Sequence, residues 1–97
     1  LSPRTFRQVT NLVSVLNVYE LLPKIDVPTL MIAGKNEHQT ILRSLAVYAR
    51  LMPDCMARTV PQMGHAWCNQ NPNLFARTLK SWVRGTPLPN ALVAADA

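Results

Sequence analysis

The chain has 97 residues, of which 48% are hydrophobic and 15% are charged, and its formal net charge is +5. This composition is typical of one small folded domain and argues against a disordered chain. The basic excess makes nucleic acid a partner to consider, but the ten Lys and Arg residues are scattered singly, with no basic block and no interleaved aromatic platform. Nucleic acid is therefore not expected as a partner.

Membrane insertion and secretion are not expected either. No apolar run approaches the roughly 20 residues that a membrane span needs, and no basic segment followed by an apolar stretch indicates a signal peptide. We therefore expect a cytoplasmic protein without a membrane partner. Cys55 and Cys68 do not form a C-x-x-C pair and are expected to be reduced thiols. The chain begins at Leu1 rather than Met, which favours a fragment or a processed product.

The first predicted element is an amphipathic helix over about residues 3–19. Ser2 and Pro3 are typical of a helix start, as N-cap and first-turn residue. Apolar residues then recur at spacings of three and four, which favours a helix, although several valines leave a strand open for its second half. Pro23 ends this element, so residues 1–21 form the first segment. The periodic apolar residues are Phe6, Val9, Val13 and Leu16.

Two strands and an intervening helix are predicted next. Thr29 to Ala33 is apolar on both alternating faces, as in a strand of a parallel sheet that is covered on two sides, and Gly34 stops it. Thr40 to Leu51 has one apolar helical face, and Pro53 follows it. Met56 to Pro61 is the second short strand. The two strands are expected to be parallel, with a right-handed crossover.

A terminal helix and a tail complete the prediction. Asn71 and Pro72 are a strong helix start, and Gly85 is a natural left-handed stop. The αβαβα order, with two short parallel strands and covering helices, places the main unit at residues 22–85 and predicts the α/β fold class. Residues 86–97 contain two prolines and small side chains, and are expected to form a flexible tail.

The candidate site residues are Glu37 and His65, which follow the two predicted strands. Ligands of open α/β sheets collect outside the carboxyl ends of the strands, so both residues point to one edge of the sheet. A carboxylate that orients an imidazole supplies the acid and the base of a nucleophilic triad. No Gly-x-Ser-x-Gly elbow occurs in the chain, so the nucleophile is missing.

Several spaced segments together resemble the C-terminal portion of the α/β-hydrolase fold family. They match, in order, its penultimate strand with the acid loop, its last strand with the histidine loop, and its terminal helix. The resemblance covers about residues 22–85 and is carried by Ile25 to Glu37, Met52 to Asp54, Val60 to Trp67 and Pro72 to Val83.

The resemblance implies that Glu37 is the triad acid, at a place where the family usually has Asp, and that His65 is the general base. Residues 1–21 would then leave the family's cap region. The implied function is the C-terminal part of a Ser–Asp/Glu–His hydrolase that cleaves a small-molecule ester, amide or carbon–carbon bond without a cofactor. The nucleophile and the oxyanion hole would come from an N-terminal part, so the chain alone is expected to be inactive.

The alternative is a stand-alone binding or self-assembly module in which the acid and the histidine are idle. Two short parallel strands leave an exposed sheet edge and an apolar face, and such surfaces are usually covered. In either case we expect a homo-oligomer formed through that edge or face. No metal is expected to bind, although four residues could in principle act as ligands. These are Glu37, His38, His65 and Cys68.

Overall fold

The computed structural model describes residues 18–95 together with Arg4. The helix predicted over residues 3–19 therefore lies almost wholly outside the described residues. Helix α1 spans Val18–Leu21, and a 3-10 turn, Leu22–Lys24, follows it. Proline at the start of that turn cannot donate a backbone hydrogen bond, which is why no regular helix continues through it.

The two predicted parallel strands are confirmed. Strand β1 spans Thr29–Gly34, helix α2 spans Gln39–Leu51, and strand β2 spans Cys55–Val60. These bounds differ from the predicted ones by at most one residue at each end. The strands pair in parallel along their full length, with Gly34 opposite Val60 at the end of the ladder. Both strands therefore deliver their following loops to the same edge of the sheet.

The sheet has a third strand that the sequence did not predict. Strand β3, Val93–Ala94, pairs antiparallel with β2, so the order is β1-β2-β3. The structure therefore differs from the flexible tail that was expected over residues 86–97. The difference holds up to residue 95, the last residue that the structure describes. Leu92 is 7% exposed and packs in the core, and a turn in which its amide donates to the Pro89 carbonyl brings it there. Two residues of strand are too short to leave a periodic pattern.

The terminal helix is confirmed together with both of its predicted ends. Helix α3 is a single turn, Trp67–Gln70, and helix α4 spans Pro72–Arg84. Asn71 caps α4, because its side chain accepts a hydrogen bond from the Leu74 amide at 3.1 Å. Gly85 ends the helix in the left-handed region at φ 70°, where glycine carries no Cβ penalty.

The hydrophobic core lies beneath the end of β2 and the loop that follows it. Its buried members are Val60, Trp67, Leu74 and Leu92, contributed by β2, α3, α4 and the chain before β3. Trp67 also meets the Phe75 ring edge-on, with ring centroids 5.6 Å apart. The structure is a small mixed α/β domain in which one core supports the histidine loop. Within the described residues, no helix has the length and apolarity needed to cross a bilayer.

Replacing Asn71 with Ala should lower the free energy of unfolding by about 1 kcal/mol, because the Leu74 amide loses its capping acceptor. Urea denaturation followed by circular dichroism measures this change. Asn73→Ala is the matched control, since Asn73 is exposed on the first turn of the same helix and should change stability by less than about 0.5 kcal/mol. Equal losses in the two variants would contradict the capping role.

Candidate functional site

The loops that follow β1 and β2 are joined by their main chains. The Lys35 amide donates to the Val60 carbonyl at 2.8 Å, which extends the ladder by one bond. The Asn36 amide then donates to the Met63 carbonyl at 2.9 Å. The acid loop and the histidine loop are therefore held side by side by backbone bonds before any side chain is considered.

The structure brings the two predicted site residues into direct contact. His65 Nδ1 lies 2.8 Å from Glu37 Oε2, a distance typical of a hydrogen bond to an ionised group. An ionised carboxylate can only accept, so Nδ1 must carry the proton and donate it. The Nε2 lone pair of the neutral ring is then directed away from Glu37. The Glu37 side chain is 11% exposed, whereas the His65 side chain is 86% exposed.

The second oxygen of the carboxylate is also held. The His38 amide donates to Glu37 Oε1 at 3.3 Å, and the Glu37 amide donates to the Gly34 carbonyl at 3.0 Å. The turn after β1 therefore holds one carboxylate oxygen, Oε1, while His65 binds the other, Oε2. This arrangement allows Glu37 to hold one tautomer and one orientation of the imidazole.

His38 has a structural role that the sequence analysis did not assign. It is the N-cap of α2, and its Nδ1 accepts a hydrogen bond from the Thr40 amide at 3.1 Å. His38 directly precedes the helix, which is the position of an N-cap. Histidine is not among the residues that favour N-caps, so the sequence offers little indication of this role. His38 thus anchors the far end of the acid loop to α2 and makes no contact of its own with the His65 ring among the hydrogen bonds of the described residues.

Gly34 is required for the close approach of the two loops. A Cβ atom at Gly34 would overlap the carbonyl oxygens of Met63 and Gly64 and would lie 2.6 Å from the Met63 carbonyl carbon. Gly64 itself has room, since a Cβ there would meet only the Gln70 side chain at 3.9 Å. The left-handed residue of the histidine loop is Gln62, at φ 64°.

Neither cysteine is placed to act as a nucleophile beside this pair. Cys55 is the first residue of β2, at the opposite end of the strand from Val60 and the histidine loop. Partial burial raises the pKa of the Cys55 thiol, and the Asp54 carboxylate raises it further, so this thiol is protonated at neutral pH and is a poor nucleophile. Cys68 is half-buried and lines an apolar groove with Trp67 and Trp82.

The serines of the described region do not complete a triad. The Ser44 hydroxyl donates to the Thr40 carbonyl inside α2 at 2.9 Å, and Ser81 lies within α4. Ser2 and Ser14 lie outside the described residues. Within residues 18–95, no side chain hydrogen-bonds His65 Nε2, and no group of three or more His, Cys, Asp or Glu side chains could hold a metal ion. The site in this region is the hydrogen-bonded pair of Glu37 and His65.

Comparison with known proteins identifies no relative: no protein-family model matches the chain, and neither a curated protein nor a solved structure matches it significantly. The chemistry of the Glu37–His65 pair is therefore inferred from its own geometry. That geometry consists of a shielded carboxylate, an imidazole bonded through Nδ1, and an outward-facing Nε2.

Gly34→Ala should destabilise the protein by about 1–3 kcal/mol, because the new methyl group overlaps the Met63 and Gly64 carbonyl groups. Urea denaturation measures the loss, and the His65 Nδ1–H proton signal in NMR should disappear as the loops separate. Gly64→Ala is the control, with an expected change within about 0.5 kcal/mol, since its Cβ has space. A harmless Gly34→Ala variant would show that the close approach is not needed.

Proposed function

We propose that Glu37 and His65 are the acid and the general base of a Ser–Asp/Glu–His hydrolase of the α/β-hydrolase fold. The reaction is cleavage of an ester, amide or carbon–carbon bond in a small molecule, and no cofactor is required. The nucleophile is supplied from outside this 97-residue chain, whose sequence has no Gly-x-Ser-x-Gly elbow. The observation that carries the proposal is the 2.8 Å bond between His65 Nδ1 and Glu37 Oε2.

The geometry supports a proton-transfer role for His65. Because Nδ1–H donates a hydrogen bond to the carboxylate, Nε2 can accept the proton of an attacking hydroxyl group and later donate it to the leaving group. The Glu37 carboxylate stabilises the imidazolium ion that forms between these two steps.

The exposure of His65 supports the part of the proposal that places the nucleophile elsewhere. A ring that is 86% exposed leaves Nε2 open to solvent, and no side chain of residues 18–95 is hydrogen-bonded to that atom. The concave surfaces lined by α2, by β1 with α4, and by the segment after α4 do not include Glu37 or His65. A substrate pocket over the pair therefore needs residues from another part of the protein or from a partner.

The topology supports the α/β-hydrolase assignment over an accidental pair. The acid follows one parallel strand and the histidine follows the neighbouring one, with a helix between them, as the resemblance implies. Glu in place of the usual Asp adds one methylene group. The turn in which the Glu37 amide bonds the Gly34 carbonyl accommodates this length, because the carboxylate still reaches the ring at 2.8 Å.

The test uses the full-length product of the gene that encodes this chain. A fluorophosphonate probe should label its nucleophile, and His65→Ala and Glu37→Ala should each slow labelling and ester hydrolysis by about 10³-fold or more. His38→Asn is the matched control, since Asn retains the cap of α2 and the variant keeps the Glu37–His65 bond.

Two results would refute this proposal. One is labelling that persists unchanged in His65→Ala, which would separate the histidine from the nucleophile. The other is turnover of a short-chain chromogenic ester by the 97-residue chain alone that is abolished in His65→Ala. The second result would place a nucleophile within this chain.

A second candidate function is self-assembly, favoured by the position of β1. Among the described strands, β1 lies at the edge of the sheet. A groove of about 290 Å³ runs beside it, lined by Leu30 and Ile32 from β1 and by Phe75, Leu79 and Trp82 from α4. A second copy of the chain could pair its own β1 antiparallel with this edge and cover the two grooves together.

Sedimentation velocity tests this second candidate. Wild-type chain should form a dimer at micromolar concentration, and Leu79→Glu should weaken the dimer by about tenfold or more, because it places a charge in the groove. Val83→Glu changes the net charge equally at an 82% exposed position outside the groove and should leave the dimer intact. A wild-type monomer at these concentrations rules out the assembly.

A further inference from the structure

The loop that carries His65 is closed by a side chain that the pair itself does not use. Gln70, the last residue of α3, accepts a hydrogen bond from the Gly64 amide through its Oε1 atom at 2.9 Å. The bond joins the residue directly before His65 to the end of the next helical turn. It therefore closes a small ring of chain around the histidine.

The chain on both sides of His65 is held by hydrogen bonds, and the Gln70 bond holds the N–H of the Met63–Gly64 peptide group. Before His65, the Met63 carbonyl accepts from the Asn36 amide of the acid loop at 2.9 Å. After it, the Ala66 carbonyl accepts from the Gln70 amide at 3.0 Å and begins α3. Gly64 lies between these points, and glycine has the widest backbone freedom of any residue.

We propose that Gln70 is a positioning residue for His65. By holding the Gly64 peptide, it sets the direction from which the His65 side chain leaves the backbone and reaches Glu37. The His65 ring is 86% exposed, so packing restrains it little. Its orientation depends on the backbone beneath it and on the bond to Glu37.

The same bond contributes little to the stability of the fold. Gln70 is exposed, and water can replace its oxygen at the Gly64 amide, so losing the bond leaves no buried group unpaired. The histidine loop remains anchored in the core by Trp67, which is 6% exposed. A substitution at residue 70 should therefore change the orientation of His65 without unfolding the domain.

The chemistry of the bond defines the informative substitutions. The Gly64 amide is a donor, so residue 70 must present an acceptor oxygen. Gln70→Glu keeps the length and an acceptor, and Gln70→Leu keeps most of the volume but removes the acceptor. Asn69→Leu is the matched control, because Asn69 is an exposed neighbour on the same turn whose side chain makes no hydrogen bond with a described residue.

The experiment measures the tautomer of His65 in the 97-residue chain by long-range ¹H–¹⁵N NMR, at a pH where the imidazole is neutral. Wild type, Gln70→Glu and Asn69→Leu should carry the proton on Nδ1, as the bond to Glu37 requires. Gln70→Leu should lose at least half of that tautomer, and Glu37→Ala should lose most of it. Thermal unfolding should be the same in wild type and Gln70→Leu within about 3 °C.

The Nδ1–H tautomer persisting in Gln70→Leu would overturn the proposal, as would its loss in both Gln70→Leu and Asn69→Leu. A wild-type ring protonated mainly on Nε2 would overturn it as well.

The catalytic meaning of this positioning rests on the proposed hydrolase function, but the tautomer does not. In the full-length protein, Gln70→Leu should lower kcat by about 10-fold to 100-fold with little change in KM, and Gln70→Glu should restore it. If Gln70→Leu loses the Nδ1–H tautomer but the full-length wild-type protein has no hydrolase activity, the proposed function is refuted and the positioning role of Gln70 stands.

Discussion

The close backbone approach of two loops at one edge of the sheet is the constraint on which the rest of the site depends. Gly34 and Val60 end their strands opposite each other, and the Asn36 amide reaches the Met63 carbonyl across the gap. This approach is allowed only because residue 34 has no Cβ. With the main chains held at that spacing, Glu37 in one loop and His65 in the other meet at hydrogen-bond distance.

The pair combines two environments that favour different chemistry. The carboxylate is shielded and bonded at both oxygens, so it can hold a ring in one orientation and stabilise positive charge on it. The imidazole extends into solvent, which leaves its outer nitrogen, Nε2, accessible to a hydrogen-bond partner. Within residues 18–95, no hydroxyl group is hydrogen-bonded to the outer nitrogen of this ring.

The elements whose signals are local can be predicted from the sequence. Helix α4 could be bounded because Asn71, Pro72 and Gly85 act through neighbouring backbone atoms, and the parallel strands because their apolar runs stop at turn residues. The facing positions of Glu37 and His65 followed from strand order. The roles of Gln70 and Gly34 could not be predicted from the sequence, because each depends on a residue that the fold brings near. Strand β3 was missed because its pairing is set by Leu92 entering a core assembled from β2, α3 and α4.

The burial of Leu92 makes the histidine loop depend on chain that follows it by more than twenty residues. Leu92 packs in the same cluster as Trp67, the residue two positions after His65, and β3 secures it against β2. During synthesis, the loop therefore lacks its full support until residue 92 has emerged and docked. Loss of the chain from Leu92 onward would loosen the loop that carries His65 while leaving both Glu37 and His65 in place.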